Sequence, residues 1–164
     1  MSDTKKEEIR QELTSTRRDL LLLLAGLGEW QWAAPVFTHG EEDGWSVADV
    51  LRHLTSAERG MTATMKHIRE GGEGVPPDFD LNRWNARTVD KTKDKVPAEL
   101  LAEMEKNRER LFHFIDSLEP EDWRKQGRHA SLRIMSIEEI ARLTADHERR
   151  HTADIREALE QVED

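Results

Sequence analysis

The stretch IEEIARLTADHERRHTADIREALEQV, residues 137–162, decides how the rest of the chain is read. At about 100° per residue, Ile137, Ile140, Thr144, Ile155, Ala158 and Val162 share one face, the apolar stripe of a buried amphipathic helix. His147 and His151 fall within that stripe. Residues at i and i+4 stand one above the other on a helix, so the two imidazoles enter the same space from adjacent turns. Buried imidazoles need polar partners. A single metal ion would serve both at once; separate hydrogen bonds within the core are the alternative. A third ligand from elsewhere in the chain would decide between them.

Working outward, three further long helices and one short helix precede this one. Ile9, Leu13, Thr16, Leu20, Leu23, Leu24 and Leu27 recur every three or four positions and predict a first helix from about Lys5 to Gly28. Glu29 to Gly44, with Trp30, Trp32, Pro35 and Gly40, reads as a long connection with aromatic anchors. Ser46 and Asp49 form a capping box for a second helix whose stripe is Val50, Leu51, Leu54, Ala57, Met61, Met65 and Ile68. His53 lies at the edge of that stripe. Gly71, Gly72, Gly74, Pro76 and Pro77 end the helix. Asp80 then caps a short helix within Asp80 to Lys91, with Leu81, Trp84 and Val89 turned inward. Pro97 stands at a first-turn position, opening a third long helix through Leu100, Leu101, Met104, Leu111, Ile115 and Leu118, which Pro120 stops. Trp123 to Met135 is a polar crossover, open between loop and strand. Ser136 and Glu139 cap the last helix.

Four long helices with little strand signal predict an all-α, four-helix bundle with long connections, a single domain over residues 1–164. In such a bundle ligands come from facing helices and meet in the core, which is where His53, His147 and His151 can converge. Three imidazoles on a divalent metal leave a coordination position open, the mark of a catalytic site. Neutral imidazole suits several metals, with Zn the default and Ni close behind. The chain has no cysteine, so thiolate ligands, disulfides and a cysteine nucleophile are all excluded. With 34 acidic residues against 25 Lys and Arg, the formal charge of −9 disfavours nucleic acid and anionic membranes as partners. The charged start, Met1 to Glu12, lacks the apolar core of a secretory signal. Leu20 to Leu24 is too short to span a bilayer, and a cytoplasmic protein is expected.

His147-Glu148-Arg149-Arg150-His151 also matches the H-E-x-x-H of zinc peptidases. The context speaks against that assignment. No second helix follows to return a third ligand, and Asp154 stands where the longer peptidase motif requires glycine. Glu148, at the margin of the stripe, is expected to be a solvated helix carboxylate.

The run Gly44-Trp45-Ser46-Val47-Ala48-Asp49-Val50-Leu51-Arg52-His53-Leu54, then Glu58, Phe79-Asp80-Leu81-Asn82-Arg83-Trp84-Asn85 and the late His147/His151 pair, resembles the DinB/YfiT-like superfamily. The resemblance spans essentially the whole chain. It implies a four-helix bundle, often a homodimer, with a three-histidine metal site onto which His53, His147 and His151 map. It further implies a metal-dependent transferase, isomerase or hydrolase acting on a small molecule, with water or a low-molecular-weight thiol as the activated group. Many members have no known activity, so a non-catalytic metal- or ligand-binding bundle of the stress response stands as the alternative.

Among the remaining candidates, Glu58 would be a base near the same end of the bundle or else a surface ion-pair partner of Arg52 or Arg59. Asp154, three residues after His151, would orient that imidazole or pair on the helix surface. Trp84 and Asn85 would wall the pocket or merely pack it. His39, His67, His113 and His129 have no partner at ligand spacing and are read as surface residues. Trp30, Trp32, Trp45 and Trp123, in or beside connections, would favour pairing of two copies if exposed.

Overall fold

The structure, a computed structural model, describes residues 2–36 and 44–162. In chain order its elements are α1 (Ser2–Leu24), α2 (Glu29–Trp32), α3 (Val47–Arg69), α4 (Leu81–Lys91) and α5 (Pro97–Ser117). A 3-10 turn (Asp122–Arg124), the strands β1 (Gln126–Arg128) and β2 (Ile134–Ser136), and α6 (Ile137–Gln161) complete it. The long helices α1, α3, α5 and α6 form the bundle. α1 packs mainly on α6, with a lighter contact to α5, whereas α3 packs on both α5 and α6. The pairs that follow one another in the chain, α1 with α3 and α5 with α6, are thus not principal neighbours. Each of those two connections has to cross to the far side of the bundle, and this accounts for their length. Among the described residues no helix is long and apolar enough to cross a membrane.

The caps act as the sequence predicts. The Ser46 side chain accepts from the Asp49 N–H at 3.1 Å, and Asp49 Oδ2 accepts from the Ser46 N–H at 3.2 Å. Ser136 and Glu139 repeat the arrangement at the start of α6, and Asp80 accepts from the Arg83 N–H to open α4. Two elements differ from expectation. The first helix ends at Leu24 rather than Gly28, because Gly26 turns left-handed at φ 76°, the conformation that terminates helices. The connection after it contains the one-turn helix α2, whose backbone turn is closed by Gly28 and Glu29 carbonyls.

The polar crossover resolves into an antiparallel hairpin, with Gln126 opposite Ser136 and Arg128 opposite Ile134. Its three-residue turn places Leu132 at φ 71°, the left-handed position such turns require. The hairpin is fastened to the loop between α3 and α4. Val75 N–H donates to the Arg128 carbonyl at 2.9 Å, and Arg128 N–H donates to the Glu73 carbonyl at 2.7 Å. Gly74 makes this possible, since a Cβ there would collide with the Arg128 backbone. Loop and hairpin therefore form one wall.

Two apolar clusters fill the bundle. One gathers Ile9, Leu13, Met65, Leu111, Ile115 and Ile140; the other gathers Leu20, Leu51, Leu54, Leu100, Met104 and Ile155. Between them lies a layer of charge with one side chain from each long helix. Arg108 of α5 donates to Glu58 of α3 at 2.8 and 3.2 Å and to Glu148 of α6 at 2.6 Å. Arg17 of α1 donates to Glu148 at 2.7 Å and to Glu58 at 3.3 Å. Arg108, Glu58 and Glu148 are buried, and the two positive charges balance the two negative ones. Burial alone would lower the Arg108 pKa, but the Glu58 and Glu148 carboxylates outweigh it and raise it.

Removing one member strands the others as uncompensated buried charge. Arg108→Met is accordingly expected to destabilise the fold by about 3–5 kcal/mol, measured by chemical denaturation. A loss within the range of ordinary surface substitutions would show that water reaches and screens the layer.

Candidate metal centre

The three histidines named from the sequence come together. His53 Nε2 lies 3.0 Å from His147 Nε2, and His151 Nε2 lies 3.2 Å from the same atom. One nitrogen from each ring falls within 4.8 Å of the other two. Ligands placed tetrahedrally at a metal–nitrogen distance of about 2.0–2.1 Å sit about 3.3–3.4 Å apart, so the cluster already has nearly the span a metal requires. The rings meet edge to face, with interplanar angles of 72°, 77° and 83°. A cation at their focus would be held by one nitrogen lone pair from each ring.

The helices explain the convergence. His147 and His151 stand one turn apart on α6, and α6 packs on α3, which carries His53. Trp45 covers the outer side of His53 with ring centroids 5.1 Å apart. Asp154 Oδ2 lies 3.4 Å from His151 Nδ1, so a carboxylate stands on the outward nitrogen of that ring, an arrangement that keeps the inward nitrogen as the lone-pair donor. The pKa of His147 is pushed well below its ordinary value, first by burial and then by His151, His53 and Arg150. Neutral imidazole, the form that binds metals, is the form favoured there.

Beside the cluster opens a cavity of about 490 Å³, of the size that holds small-molecule ligands. His53 and His147 form part of its wall, together with Trp84, Asn85, Phe79 and Met61. Trp84 and Asn85 thus wall the pocket. The Gly60 backbone permits the close seat of Trp84, whose ring lies 3.3 Å from where a Cβ would stand.

Several other sequence expectations are corrected. Glu58 is buried, and it pairs with Arg108 and Arg17 rather than with Arg52 or Arg59 at the surface. Arg52 instead binds Asp49 and the carbonyls of Thr92, Lys93 and Lys95. Glu148 is not a solvated carboxylate: it is 3% exposed, and its oxygens accept from Arg17 and Arg108. It shares only a small recess with His147 and is absent from the wall of the main cavity. His129, read as a surface residue, is buried and lines the cavity. The hairpin carries it there, an excursion that helical periodicity cannot reveal. His67 and His113 are exposed as expected, and His39 lies outside the described residues. Of the tryptophans, Trp45 and Trp123 are buried, whereas Trp30 is 72% exposed.

The sequence model of the DinB superfamily matches residues 12–155. The chain belongs to the DinB superfamily. Among solved structures it is similar to YfiT from Bacillus subtilis, described as a probable metal-dependent hydrolase with an unusual four-helix bundle topology. That match has a TM-score of 0.77 at 20% identity and covers 95% of this chain and 86% of YfiT. The colibactin self-resistance protein ClbS, solved with double-stranded DNA, matches with a TM-score of 0.74 at 16% identity over 93% and 94% of the two chains. The mycothiol-dependent maleylpyruvate isomerase matches at 0.71 and 15% identity; the alignment covers 94% of this chain and 60% of the isomerase. At these identities the likeness establishes the fold. No curated protein matches the sequence.

The depressed His147 pKa has a measurable consequence. Below the ordinary value of 6.5 the unfolded chain takes up a proton that the folded chain resists, so folding stability falls as pH falls. His129, lowered by burial and by Arg133, acts in the same direction. Denaturation of the chelator-treated protein at about pH 7.5 and about pH 5.5 should show lower stability at the acid value. His147→Ala should reduce that difference without abolishing it. An unchanged difference in the variant would show that His147 is not held neutral.

Proposed function

We propose that His53, His147 and His151 hold a divalent metal ion and that the protein is a metal-dependent enzyme acting on a small molecule. The observation that carries this reading is the convergence of three Nε2 atoms beside a cavity that two of the same rings line. Three imidazoles leave a coordination position for a further ligand, and the cavity provides the space for it. When bound, such a metal lowers the pKa of a water or thiol and supplies a nucleophile at neutral pH.

The chain's own residues hold the site. Asp154 stands behind His151, Trp45 shields His53, and the charged layer fixes α6 against α3 through Glu148. Glu148 and Glu58 are given structural roles, because guanidinium groups hold their oxygens away from the cavity. That assignment removes the general base that an H-E-x-x-H peptidase needs. Water and an external thiol remain the two candidate nucleophiles, corresponding to hydrolase and thiol-transferase chemistry. YfiT, described as a probable metal-dependent hydrolase, and the mycothiol-dependent maleylpyruvate isomerase support a metal- or thiol-dependent chemistry without choosing between the two nucleophiles.

Protein purified without a polyhistidine tag should carry close to one equivalent of Zn or Ni per chain by elemental analysis, and His151→Ala should lose it. Sub-stoichiometric metal in the natural chain, or full occupancy in the variant, would refute the site. Metal added to the stripped protein at about 100 times its dissociation constant should stabilise the fold by about 2.7 kcal/mol. Because the chain has no cysteine, a thiolate-to-metal absorption band in Co(II)-loaded protein would report an external thiol alone. Its appearance on adding a low-molecular-weight thiol would favour the transferase reading.

A further inference from the structure

We infer that the cavity selects a small organic anion, its acidic group held by Arg133 and Arg150 and its apolar body packed against Trp84 and Phe79. The inference rests on the proposed metal centre only for which end of the ligand reacts; the charge selectivity comes from other residues.

The polar lining of the cavity is one-sided. Arg133 from the hairpin and Arg150 from α6 both line it, and among the described residues no aspartate or glutamate does. This is unexpected in a chain whose formal charge is −9. Some arginines are held by carboxylates, Arg17 and Arg108 by Glu58 and Glu148, Arg142 by Glu8, Glu12 and Glu138, and Arg149 by Asp146, while others, such as Arg59 and Arg83, stand at the surface away from this cavity's lining. Neither Arg133 nor Arg150 forms an ion pair with a described carboxylate. Both guanidiniums remain available at the cavity, and the guanidinium fork matches carboxylate and phosphoryl oxygens in a bidentate way. A cleft lined by one sign of charge also concentrates ligands of the opposite sign.

His129 adds a third donor. Its Nδ1 accepts from the Ser131 backbone N–H at 3.1 Å, so the neutral ring carries its proton on Nε2. The hairpin turn sets this geometry. The Leu132 N–H donates to the His129 carbonyl at 2.8 Å, and the His129 N–H donates to the Arg133 carbonyl at 2.9 Å. One turn thus presents His129 and Arg133 together, backed by the loop–hairpin wall. Arg150 follows His147 by three residues, so it stands on the same side of α6 as a proposed metal ligand. The lining also has an apolar part: Trp84 and Phe79 lie with ring centroids 6.3 Å apart, and Met61 and Leu143 belong to it as well. A ligand that fits both parts has an anionic end and a flat or branched apolar body. The anionic group is a carboxylate or a phosphoryl group, and the two share the same recognition chemistry.

The test uses the full chain after metal removal, so that the probe cannot bind through a metal. Phenylacetate, phenyl phosphate and the neutral phenylacetamide are titrated while the Trp84 indole N–H is followed by NMR, with Trp84→Phe identifying that resonance. At least one of the two anions should bind about tenfold or more tightly than phenylacetamide, and Arg133→Gln and Arg150→Gln should each weaken it about tenfold. The order of the two anions names the group as carboxylate or phosphoryl. Equal binding of phenylacetamide, or affinities unchanged in both arginine variants, would overturn the inference. Both arginines are exposed, so their replacement leaves the core intact, and circular dichroism verifies this. Metal content measured in parallel separates the two readings. Anion preference without stoichiometric metal removes the metal centre alone, whereas metal without anion preference removes this inference alone.

Discussion

The structure depends on one buried layer in which each long helix contributes a single charge: Arg17, Glu58, Arg108 and Glu148. Buried ion pairs are weak sources of net stability, since desolvation cancels much of the attraction. Their effect here is on register. Two guanidiniums and two carboxylates neutralise one another only if all four helices stand at the right height, and sliding any one by a turn would leave an unpaired charge between two apolar clusters. Glu148 is flanked on α6 by His147 and His151. The contact that sets the height of α6 therefore also sets two of the three imidazoles, and Glu58 does the same for His53 on α3. The three-histidine cluster inherits its geometry from the charged layer behind it.

Much of this was legible in the sequence because helices repeat. Apolar spacing and the capping residues Ser46, Asp80 and Ser136 located four long helices and the short one, and the i, i+4 pair of histidines pointed to a shared ligand. The layer was legible in principle too. Arg17 sits between Leu13 and Leu20, Glu58 between Leu54 and Met61, and Arg108 between Met104 and Leu111, each at helical spacing on its own apolar stripe. Charges at core positions in all four helices predict mutual pairing. What periodicity could not reveal was the partner of each, because that depends on which helices are neighbours. Spacing alone gives no reason for α1 to lie against α6 rather than α3. The same gap led Glu148 to be read as solvated.

The cavity wall was the least legible part. His129 and Arg133 lie in a short hairpin whose position is set by backbone bonds to Glu73 and Val75 and by the clearance at Gly74, none of which leaves a periodic trace. Arg150 was closer to hand, three residues from His147 on the same helix. The division of labour is physical: regular helices hold the imidazoles at fixed distances, and irregular segments shape the space in front of them. Function-bearing residues concentrate on loops carried by a rigid scaffold for this reason.

The central claim is that three imidazoles, with no fourth ligand from the described residues, bind a metal that faces the cavity. X-ray absorption spectroscopy of the Zn-loaded protein tests it directly. Three nitrogen scatterers at about 2.0–2.1 Å, with the histidine multiple-scattering pattern and a remaining light ligand that exchanges with solvent, are predicted. A shell closed by a fourth protein side chain, or one with fewer than three imidazoles, would contradict it.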